Sequence, residues 1–330
     1  MALERPSSLP GSRRPVVQTP LAVSADPKDT PEPLDLGGIR ITRIVESQGP
    51  LLKPAEIFPD SSPEIIEANK HWLAPAYYDP PSDRLVICIQ SFLLETDTLK
   101  VLVDTCVGDC KPRVRPDFDG QRWHWLDRLA ALGISPHQID VVLSTHLHVD
   151  HVGWHTRLEG GRWRPTFERA RYLFARSEWD YWQHNEGHPA LVRTGDYIGD
   201  SVWPVFEAGQ ADLVAMDHEI APGIRLVPLP GHTPGHVGVA IEGLSGRLML
   251  TADLFHHPLQ CSYPQWNTRF CLNAEQSRQT RLETMRRLSQ EGALLMPSHF
   301  PTARPGRLLA VREGDPEARL GHVYRYVCDC

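Results

Sequence analysis

Apolar and polar residues alternate along this chain in runs that predict strands separated by helices. Apolar runs predict strands at residues 39–45, 85–95 and 98–103, and later at residues 171–175. The run at residues 85–95 is mostly apolar at successive positions, which is typical of a strand covered on both faces. The pattern therefore indicates a mixed α/β protein with a buried sheet.

Capping residues mark where the helices begin and end. Three helices are predicted in this way: residues 123–132 before Gly133, residues 177–183 with Ser177 as N-cap, and residues 274–290 between Asn273 and Gly292. Two long connections lack a regular pattern. Residues 50–83 are Pro-rich and predict an extended loop with a short helix near residues 64–69, whereas residues 184–205 predict an irregular lid. Because loops of this length are uncommon unless functional, we expect the first to cover a pocket or a subunit contact.

Four apolar runs are each followed at once by side chains that bind metals. Residues 139–144 precede His146, His148, Asp150 and His151; residues 224–229 precede His232; residues 247–252 precede Asp253; and residues 293–298 precede His299. Packing alone gives no reason for three histidines within six positions. Imidazole nitrogen and carboxylate oxygen are ligands of zinc and similar metals. If the four strand ends converge on one edge of a sandwich, they gather seven ligands.

The motif His146-x-His148-x-Asp150-His151, followed in order by His232, Asp253 and His299, resembles the metallo-β-lactamase-fold hydrolases. The resemblance extends over most of the chain, from about residue 38 to residue 321. It implies an α/β fold, a four-layer αβ/βα sandwich formed by one domain at residues 37–330. Residues 1–36 are rich in proline, serine and charge and predict a flexible N-terminal arm.

The same resemblance implies how the ligands divide between two divalent ions. One ion is assigned to His146, His148 and His232, and the other to Asp150, His151 and His299. Asp253 is expected to bridge both, and Asp104 to support the site without binding metal. Zinc is the expected metal, with manganese, cobalt and iron as alternatives that use the same ligands.

Two late segments resemble the C-terminal part of the methyl parathion hydrolases and their lactonase relatives, namely Ser298-His299-Phe300-Pro301 and the run from Gly321 to Tyr326. Many acyl-homoserine lactonases carry a tyrosine three positions after the bridging aspartate, where it contacts the substrate carbonyl. This chain has His256 there, followed by His257. We expect His256 to donate a hydrogen bond or a proton and to act in catalysis with Asp253 and Asp150.

The predicted function is a dinuclear metal hydrolase in which a water shared by the metals becomes a hydroxide nucleophile and opens lactones or cleaves esters. Its substrate is expected to be a small hydrophobic or aryl molecule. The alternative is an organophosphate (phosphotriester) hydrolase of the methyl parathion hydrolase type. A glyoxalase-type thioesterase ranks lower because no basic glutathione-binding patch is visible. A β-lactamase ranks lower because penicillin-cleaving relatives generally lack the bridging aspartate.

Several other histidines and a tryptophan near the ligands have either a functional or a purely structural interpretation. Trp154, His155 and His257 are candidates for the substrate pocket, although packing or a turn explains each of them equally simply. His236 follows His232 by four positions. Because the seven ligands already serve both metals, we expect His236 to be a structural histidine that is hydrogen-bonded to the backbone.

The composition of the chain bears on whether it binds nucleic acid and on where in the cell it is located. The chain has 330 residues, of which 41% are hydrophobic and 23% charged, and a net charge of −7. This net negative charge argues against a nucleic-acid partner, because phosphate binding requires a basic face. Seven cysteines without zinc-ribbon spacing favour reduced thiols in the cytoplasm. No apolar segment has the length of a signal peptide's core or of a membrane span, although a removed leader leaves a periplasmic location open. The resemblance suggests a homodimer.

Overall fold

A computed structural model of the chain describes residues 32–185 and 187–328, and in these two β-sheets pack face to face. The strands are β1 (Leu34–Asp35), β2 (Arg40–Leu52), β3 (Tyr78–Asp79), β4 (Arg84–Glu95), β5 (Lys100–Val103), β6 (Val141–Leu143), β7 (Thr156–Glu159), β8 (Arg162–Pro165), β9 (Arg171–Ala175), β10 (Ala211–Val214), β11 (Glu219–Ala221), β12 (Ile224–Pro228), β13 (Val237–Gly243), β14 (Gly246–Ala252), β15 (Leu294–Pro297), β16 (Gly306–Ala310) and β17 (Tyr324–Cys328). The helices are α1 (Pro54–Ile57), α2 (Pro63–Leu73), α3 (Trp125–Ala131), α4 (Arg176–Gln183), α5 (Pro189–Thr194), α6 (Trp203–Glu207), α7 (Leu259–Ser262) and α8 (Ala274–Glu291), with a π-helical turn at Ile198–Val202.

The strand order places the chain's chemistry at one edge. The first sheet runs β1-β2-β4-β5-β6-β9-β10, with β3 on β4, and the second runs β11 to β17 in sequence order; β7 and β8 form a separate hairpin. In the first sheet β5, β6 and β9 are parallel neighbours, and in the second β14 and β15 are parallel. Because parallel strands end at the same edge, the residues that follow them lie side by side.

Side chains of alternating strand positions belong to different layers. On β4, Phe92 and Leu94 pack between the two sheets, whereas the intervening Leu93 packs with the helix residues Trp125 and Trp179. On the other sheet, Leu248 and Leu250 of β14 face the inter-sheet core, and Met249 between them packs with Met285 and Leu288 of α8. Helix, sheet, sheet and helix thus form four layers, which confirms the predicted αβ/βα sandwich.

The strand predictions are close to the structure, and the short helix predicted near residues 64–69 is α2, but the two long connections are more regular than predicted. β2 continues to Leu52, and α1, α2 and β3 fill most of residues 50–83, so this segment is largely regular. Residues 184–205 form α5, the π-helical turn and the start of α6 instead of an irregular lid. Tyr197 and Val202 of that segment are buried among apolar residues that are distant in the sequence. A local sequence pattern therefore could not predict that they are buried.

The predicted caps are right in one helix and wrong in another. Asn273 caps α8, because its side chain accepts the Gln276 amide at 3.0 Å, and Gly292 ends this helix with a φ of 61°. Helix α4 instead begins at Arg176 directly after β9, with Ala175 at the N-cap, so Ser177 already lies within the first turn.

The folded domain begins before residue 37. β1 pairs with β2, and Leu36 is buried in the inter-sheet core. The rest of the predicted arm, residues 1–31, lies outside the described residues.

Free thiols belong to Cys88, Cys106, Cys110, Cys261 and Cys271. Cys328 is disulfide-bonded, so the expectation of reduced cysteines throughout is wrong there. Within the described ranges, every helix is too short or too polar to cross a bilayer.

Candidate metal centre

The ends of four strands bring the predicted metal ligands to one point. The loop after β6 carries His146, His148, Asp150 and His151, and the loops after β12, β14 and β15 carry the others. In the pairing of β14 with β15, Ala252 lies opposite Pro297, so Asp253 and His299 follow on adjacent strands. Their side chains approach to 3.0 Å, between His299 Nε2 and Asp253 Oδ1.

The first group consists of His146, His148, His232 and Asp253, whose candidate ligand atoms all lie within 4.8 Å of one another. The Nδ1 atom of His148 and the Nε2 atom of His232 are 2.9 Å apart. Asp253 Oδ2 lies 3.3 Å from His232 Nε2 and 3.7 Å from His146 Nε2. Three ring nitrogens and one carboxylate oxygen therefore point at a common centre.

The second group consists of Asp150, His151 and His299. The other oxygen of Asp253, Oδ1, lies 3.2 Å from His151 Nε2 and 3.0 Å from His299 Nε2. Asp150 Oδ2 is 3.8 Å from His299 Nε2. The Asp253 carboxylate consequently stands between the two groups, and His299 Nε2 lies close to both of its oxygens, 3.0 Å from Oδ1 and 3.2 Å from Oδ2.

Unpaired polar atoms test whether these residues fit metal ions. His146 Nε2, His151 Nε2 and Asp253 Oδ1 are buried and have no hydrogen-bond partner within the described part of the chain. Buried polar atoms are costly unless something satisfies them. A divalent cation satisfies imidazole nitrogen and carboxylate oxygen together, and this donor set suits zinc and its neighbours. The cluster is thus built to bind divalent metal ions.

The far side of several ligand rings is held by a fixed partner. Asp104 Oδ2 accepts a hydrogen bond from His151 Nδ1 at 2.8 Å, and its Oδ1 accepts the Thr145 amide at 2.8 Å. The Cys88 carbonyl lies 2.8 Å from His299 Nδ1. Such contacts set the ring orientation and leave the opposite nitrogen available to a metal. Asp104 lies outside both ligand groups, in the supporting position that the resemblance implies.

The electrostatics of the cluster favour positive charge. Burial lowers the pKa of His146 and His148 well below the ordinary value, which keeps these imidazoles neutral. Burial also raises the pKa of Asp253, but the imidazoles of His299 and His151 outweigh it and hold that pKa well below the ordinary value. Burial lowers the pKa of His151 and His299 too, but the charge of Asp253 outweighs it and raises both, so these two rings hold protons that a bound cation would displace.

Glu178 of α4 is a supporting residue that the sequence pattern did not identify. Its Oε1 accepts the Leu147 amide at 2.9 Å and Trp182 Nε1 at 2.7 Å, and its Oε2 accepts the Gly235 amide at 2.9 Å. One buried carboxylate thereby joins the loop of His146 and His148 to the loop of His232. No pattern near a glutamate inside a helix reveals contacts to residues so distant in the chain.

A cavity of about 370 Å³ opens over the metal cluster. Its floor includes His148, Asp150, His232, Asp253 and His299. Apolar side chains supply most of its walls: Leu51, Leu52, Ile57, Ile87, Val114, Phe118 and Phe270. The arrangement suits a small molecule with an apolar body whose polar group meets the metals.

His256 lies in this cavity beside the cluster. Its Nε2 is 3.2 Å from Asp253 Oδ2, and its ring stacks on Phe270 with centroids 6.1 Å apart. The backbone amide of His256 donates to Gln260 Oε1 at 2.7 Å, which fixes the residue at the start of the turn into α7. The structure therefore brings His256 to the place where the sequence predicts a substrate contact.

The three other predicted pocket residues do not line the cavity, so that prediction is corrected. Trp154 is buried against Trp125, and its Nε1 donates to Glu46 Oε1 at 2.8 Å. His155 is buried with Nε2 3.0 Å from Ser144 Oγ. His257 is buried with Nε2 2.8 Å from the Tyr77 carbonyl. Each side chain points into the protein, where packing and backbone partners hold it.

His236 has the structural place predicted for it. Its Nδ1 lies 2.8 Å from the Leu229 carbonyl, and its Nε2 accepts the Asp253 amide at 3.1 Å. Burial lowers the pKa of His236 to about 3, so the ring is neutral and its Nε2 is an acceptor. It steadies the Asp253 backbone and lies outside both ligand groups.

Comparisons with known proteins agree with this fold. An N-acyl homoserine lactonase of a Bacillus species is 26% identical over 186 residues, which span 52% of this chain and 66% of that protein, just under two thirds of its length. The crystal structure of the hydrolase AbOPH, of the beta lactamase superfamily, has a TM-score of 0.73 at 19% identity and covers 90% of this chain and 97% of its own. AidC, a dizinc quorum-quenching lactonase, has a TM-score of 0.72 at 18% identity, with coverage of 91% and 98%.

A family profile extends the agreement to the sequence itself. The profile of the metallo-beta-lactamase superfamily matches residues 89–289, which is more than half of the chain. The matched stretch contains six of the seven predicted ligands, and His299 follows shortly after it. The chain belongs to the metallo-beta-lactamase superfamily.

Proposed function

We propose that the protein is a dinuclear metal-dependent hydrolase that opens lactones or cleaves esters of hydrophobic or aryl compounds. The observation that carries this proposal is the position of Asp253. Its Oδ2 faces His146 and His232, its Oδ1 faces His151, and His299 Nε2 lies within 3.2 Å of both oxygens, on the floor of an apolar cavity. A carboxylate placed in this way is able to serve two metal ions at once.

In the proposed site, His146, His148 and His232 hold one ion, and Asp150, His151 and His299 hold the other, with Asp253 between them. We expect both ions to be zinc, because imidazole and carboxylate suit it. When bound, such a pair supplies a hydroxide nucleophile at neutral pH and polarises the scissile carbonyl. The fold contributes the fixed orientation of the ligands through Asp104, the Cys88 carbonyl and Glu178.

Residues of the cavity complete the reaction. Asp253 orients the attacking group and accepts its proton, since its Oδ atoms lie at the centre of the cluster. Burial lowers the pKa of His256 to about 4, so its ring starts neutral. Its Nε2, 3.2 Å from Asp253 Oδ2, is placed to take that proton from Asp253, and the ring then releases it to the departing alkoxide or phenoxide. The apolar walls exclude water and bind the body of the substrate, which strengthens every polar interaction on the floor.

Two facts favour carbonyl substrates. The relative with 26% identity is named as an N-acyl homoserine lactonase, and a dizinc lactonase has the same fold. The cavity is large enough for a lactone or an aryl ester and is mostly apolar. His256 in place of a tyrosine at the floor distinguishes this chain from many lactonases and argues for a substrate other than a simple acyl-homoserine lactone.

A substrate panel on the metal-loaded protein tests the proposal. It contains a γ-lactone, dihydrocoumarin, an aryl ester, a phosphotriester, a thioester and a β-lactam, each measured with the wild type and with Asp253→Asn. We expect the highest kcat/KM on a lactone or the aryl ester, and its loss in the variant. Fastest turnover of the phosphotriester, the thioester or the β-lactam contradicts the proposed substrate class. Light scattering on the same preparation tests the expected homodimer.

A further inference from the structure

Three arginines lie at the rim of the cavity, and the site described so far uses none of them. Arg115 comes from the connection between β5 and α3, Arg193 from α5, and Arg269 from the connection between α7 and α8. The three segments are far apart in the sequence and meet only in the fold. We call Arg115, Arg193 and Arg269 the arginine rim; it is a basic patch that the sequence did not reveal.

Phe270 connects the arginine rim to the metal cluster. The guanidinium carbons of Arg193 and Arg269 lie 5.8 Å and 5.3 Å from the centre of the Phe270 ring, within cation–π range. The same ring stacks on His256, which contacts Asp253. A molecule lying along Phe270 therefore has the metals at one end and the guanidinium groups at the other.

Among the described residues, the positive charge of the rim is only partly balanced by carboxylates. Arg115 pairs with Asp117 at 3.0 Å, but within residues 32–185 and 187–328 neither Arg193 nor Arg269 forms an ion pair with a carboxylate. Partial burial lowers the pKa of Arg193, and the charges of Arg269 and Arg115 lower it further, so the three groups are close enough to repel one another. A protein of net charge −7 thus keeps a local excess of positive charge at the entrance to its cavity.

We propose that the arginine rim binds an oxyanion, such as a carboxylate, at the end of the substrate remote from the bond that is cleaved. The guanidinium group presents a planar fork of donors that fits an oxyanion, and a partly dry apolar cavity strengthens this pairing. A bound anion also relieves the repulsion among the arginines. The preferred substrates are consequently acidic lactones or acidic aryl esters with an apolar body. This inference rests on the proposed hydrolase function and names its substrate class.

A matched pair of esters tests the rim. Mono-4-nitrophenyl adipate and 4-nitrophenyl hexanoate share the leaving group and the acyl-chain length, and only the first ends in a carboxylate. We expect the wild type to prefer the adipate ester by about ten-fold in kcat/KM, mainly through a lower KM, since a charge-assisted contact at this site has that size. Arg193→Gln and Arg269→Gln are expected to reduce the preference, because each should lower kcat/KM on the adipate ester by more than on the hexanoate ester. Arg162→Gln, which removes an exposed charge from the β7–β8 hairpin, is the control.

The outcomes separate the two proposals. Equal rates on both esters, or a preference that the rim variants share with Arg162→Gln, overturn the oxyanion site and leave the hydrolase intact. If neither ester is turned over, the proposed function fails for these esters. The oxyanion site of the rim is then tested by measuring binding instead of turnover. Calorimetry then compares the anilide of adipic acid, which keeps one carboxylate, with the anilide of hexanoic acid. Tighter binding of the acid that is lost in Arg193→Gln supports the rim, and equal binding overturns it.

Discussion

Gly235 lies so close to Glu178 that a β-carbon at position 235 would be 2.3 Å from the Glu178 backbone nitrogen. At this distance only glycine fits, because the obstructing atoms belong to the main chain of α4. The contact lets the Gly235 amide reach Glu178 Oε2, while Oε1 accepts the amide of Leu147. The relative position of two ligand-bearing loops therefore depends on one carboxylate and on the missing side chain opposite it.

Replacing Glu178 by glutamine is expected to loosen this connection. An amide keeps the shape of the side chain but turns an NH₂ group toward one of the two backbone donors. We expect the affinity for zinc to fall by about 10–100-fold, as it does when outer partners of metal ligands are lost. Competition with a chelator measures this affinity. The exposed Glu168→Gln serves as the control, and equal affinities in the two variants argue against the supporting role.

Replacing Asp253 by asparagine removes the charge shared by the two ligand groups. Because a ligand itself is altered, kcat/KM is expected to fall by more than the roughly 10–100-fold typical of its outer partners. Metal analysis should show less than the wild-type content, with circular dichroism unchanged. Asp127→Asn, at an exposed position of α3, provides the comparison. Near-normal turnover by Asp253→Asn refutes the bridging assignment.

His256→Phe tests the proton-transfer role while keeping an aromatic ring against Phe270. We expect kcat on a lactone to fall by about 10²-fold, the lower end of what general acid catalysis contributes. The bound metal should stay at its wild-type level. If metal is lost together with activity, His256 is a ligand, an alternative that its contacts with Asp253 and His299 allow. A wild-type rate makes it a bystander.

Removing metal is expected to abolish activity and to lower stability. Without cations, several buried ring nitrogens and Asp253 Oδ1 lack partners. Adding zinc at 100 times its dissociation constant should increase the free energy of unfolding by about 2.7 kcal/mol. Thermal melts with a chelator, followed by addition of zinc, manganese or cobalt, identify the metal that restores both properties. Full activity in metal-free protein contradicts the whole assignment.

Glu46 gives the protein a specific dependence on pH. Burial raises the pKa of Glu46 from 4.5 to about 8, against the hydrogen bonds it accepts from Val107, Gly108 and Trp154. The folded state keeps a proton that the unfolded state has released. This contribution to stability is therefore complete below the unfolded pKa and is lost as pH rises through the folded pKa. Chemical denaturation should show the wild type losing stability relative to Glu46→Gln between about pH 5 and pH 8. A constant difference between the two argues against the shift.

The sequence revealed the ligands better than the cavity. His146, Asp253 and their partners follow strand-like runs, and the end of a strand is a position that local hydrophobic patterning can identify. Trp154 and His257 are equally close to ligands in the sequence but face the interior, because the direction of a side chain beyond the ligand depends on the local turn. Arg193 and Phe270 line the cavity although their neighbours in the sequence give no indication of it. Their positions follow from how α5 and the segment before α8 pack, which is a tertiary property.

The metal donors come from strand ends that backbone hydrogen bonds fix, whereas most of the cavity wall comes from separate segments around residues 51–57, 114–118, 193–197 and 269–270. Mutations in the cavity walls can therefore change which substrates bind without disturbing the metal ligands. Homologous enzymes built in this way can keep the same reaction while the range of substrates changes. Substrate preference is therefore expected to diverge among them much sooner than reaction type.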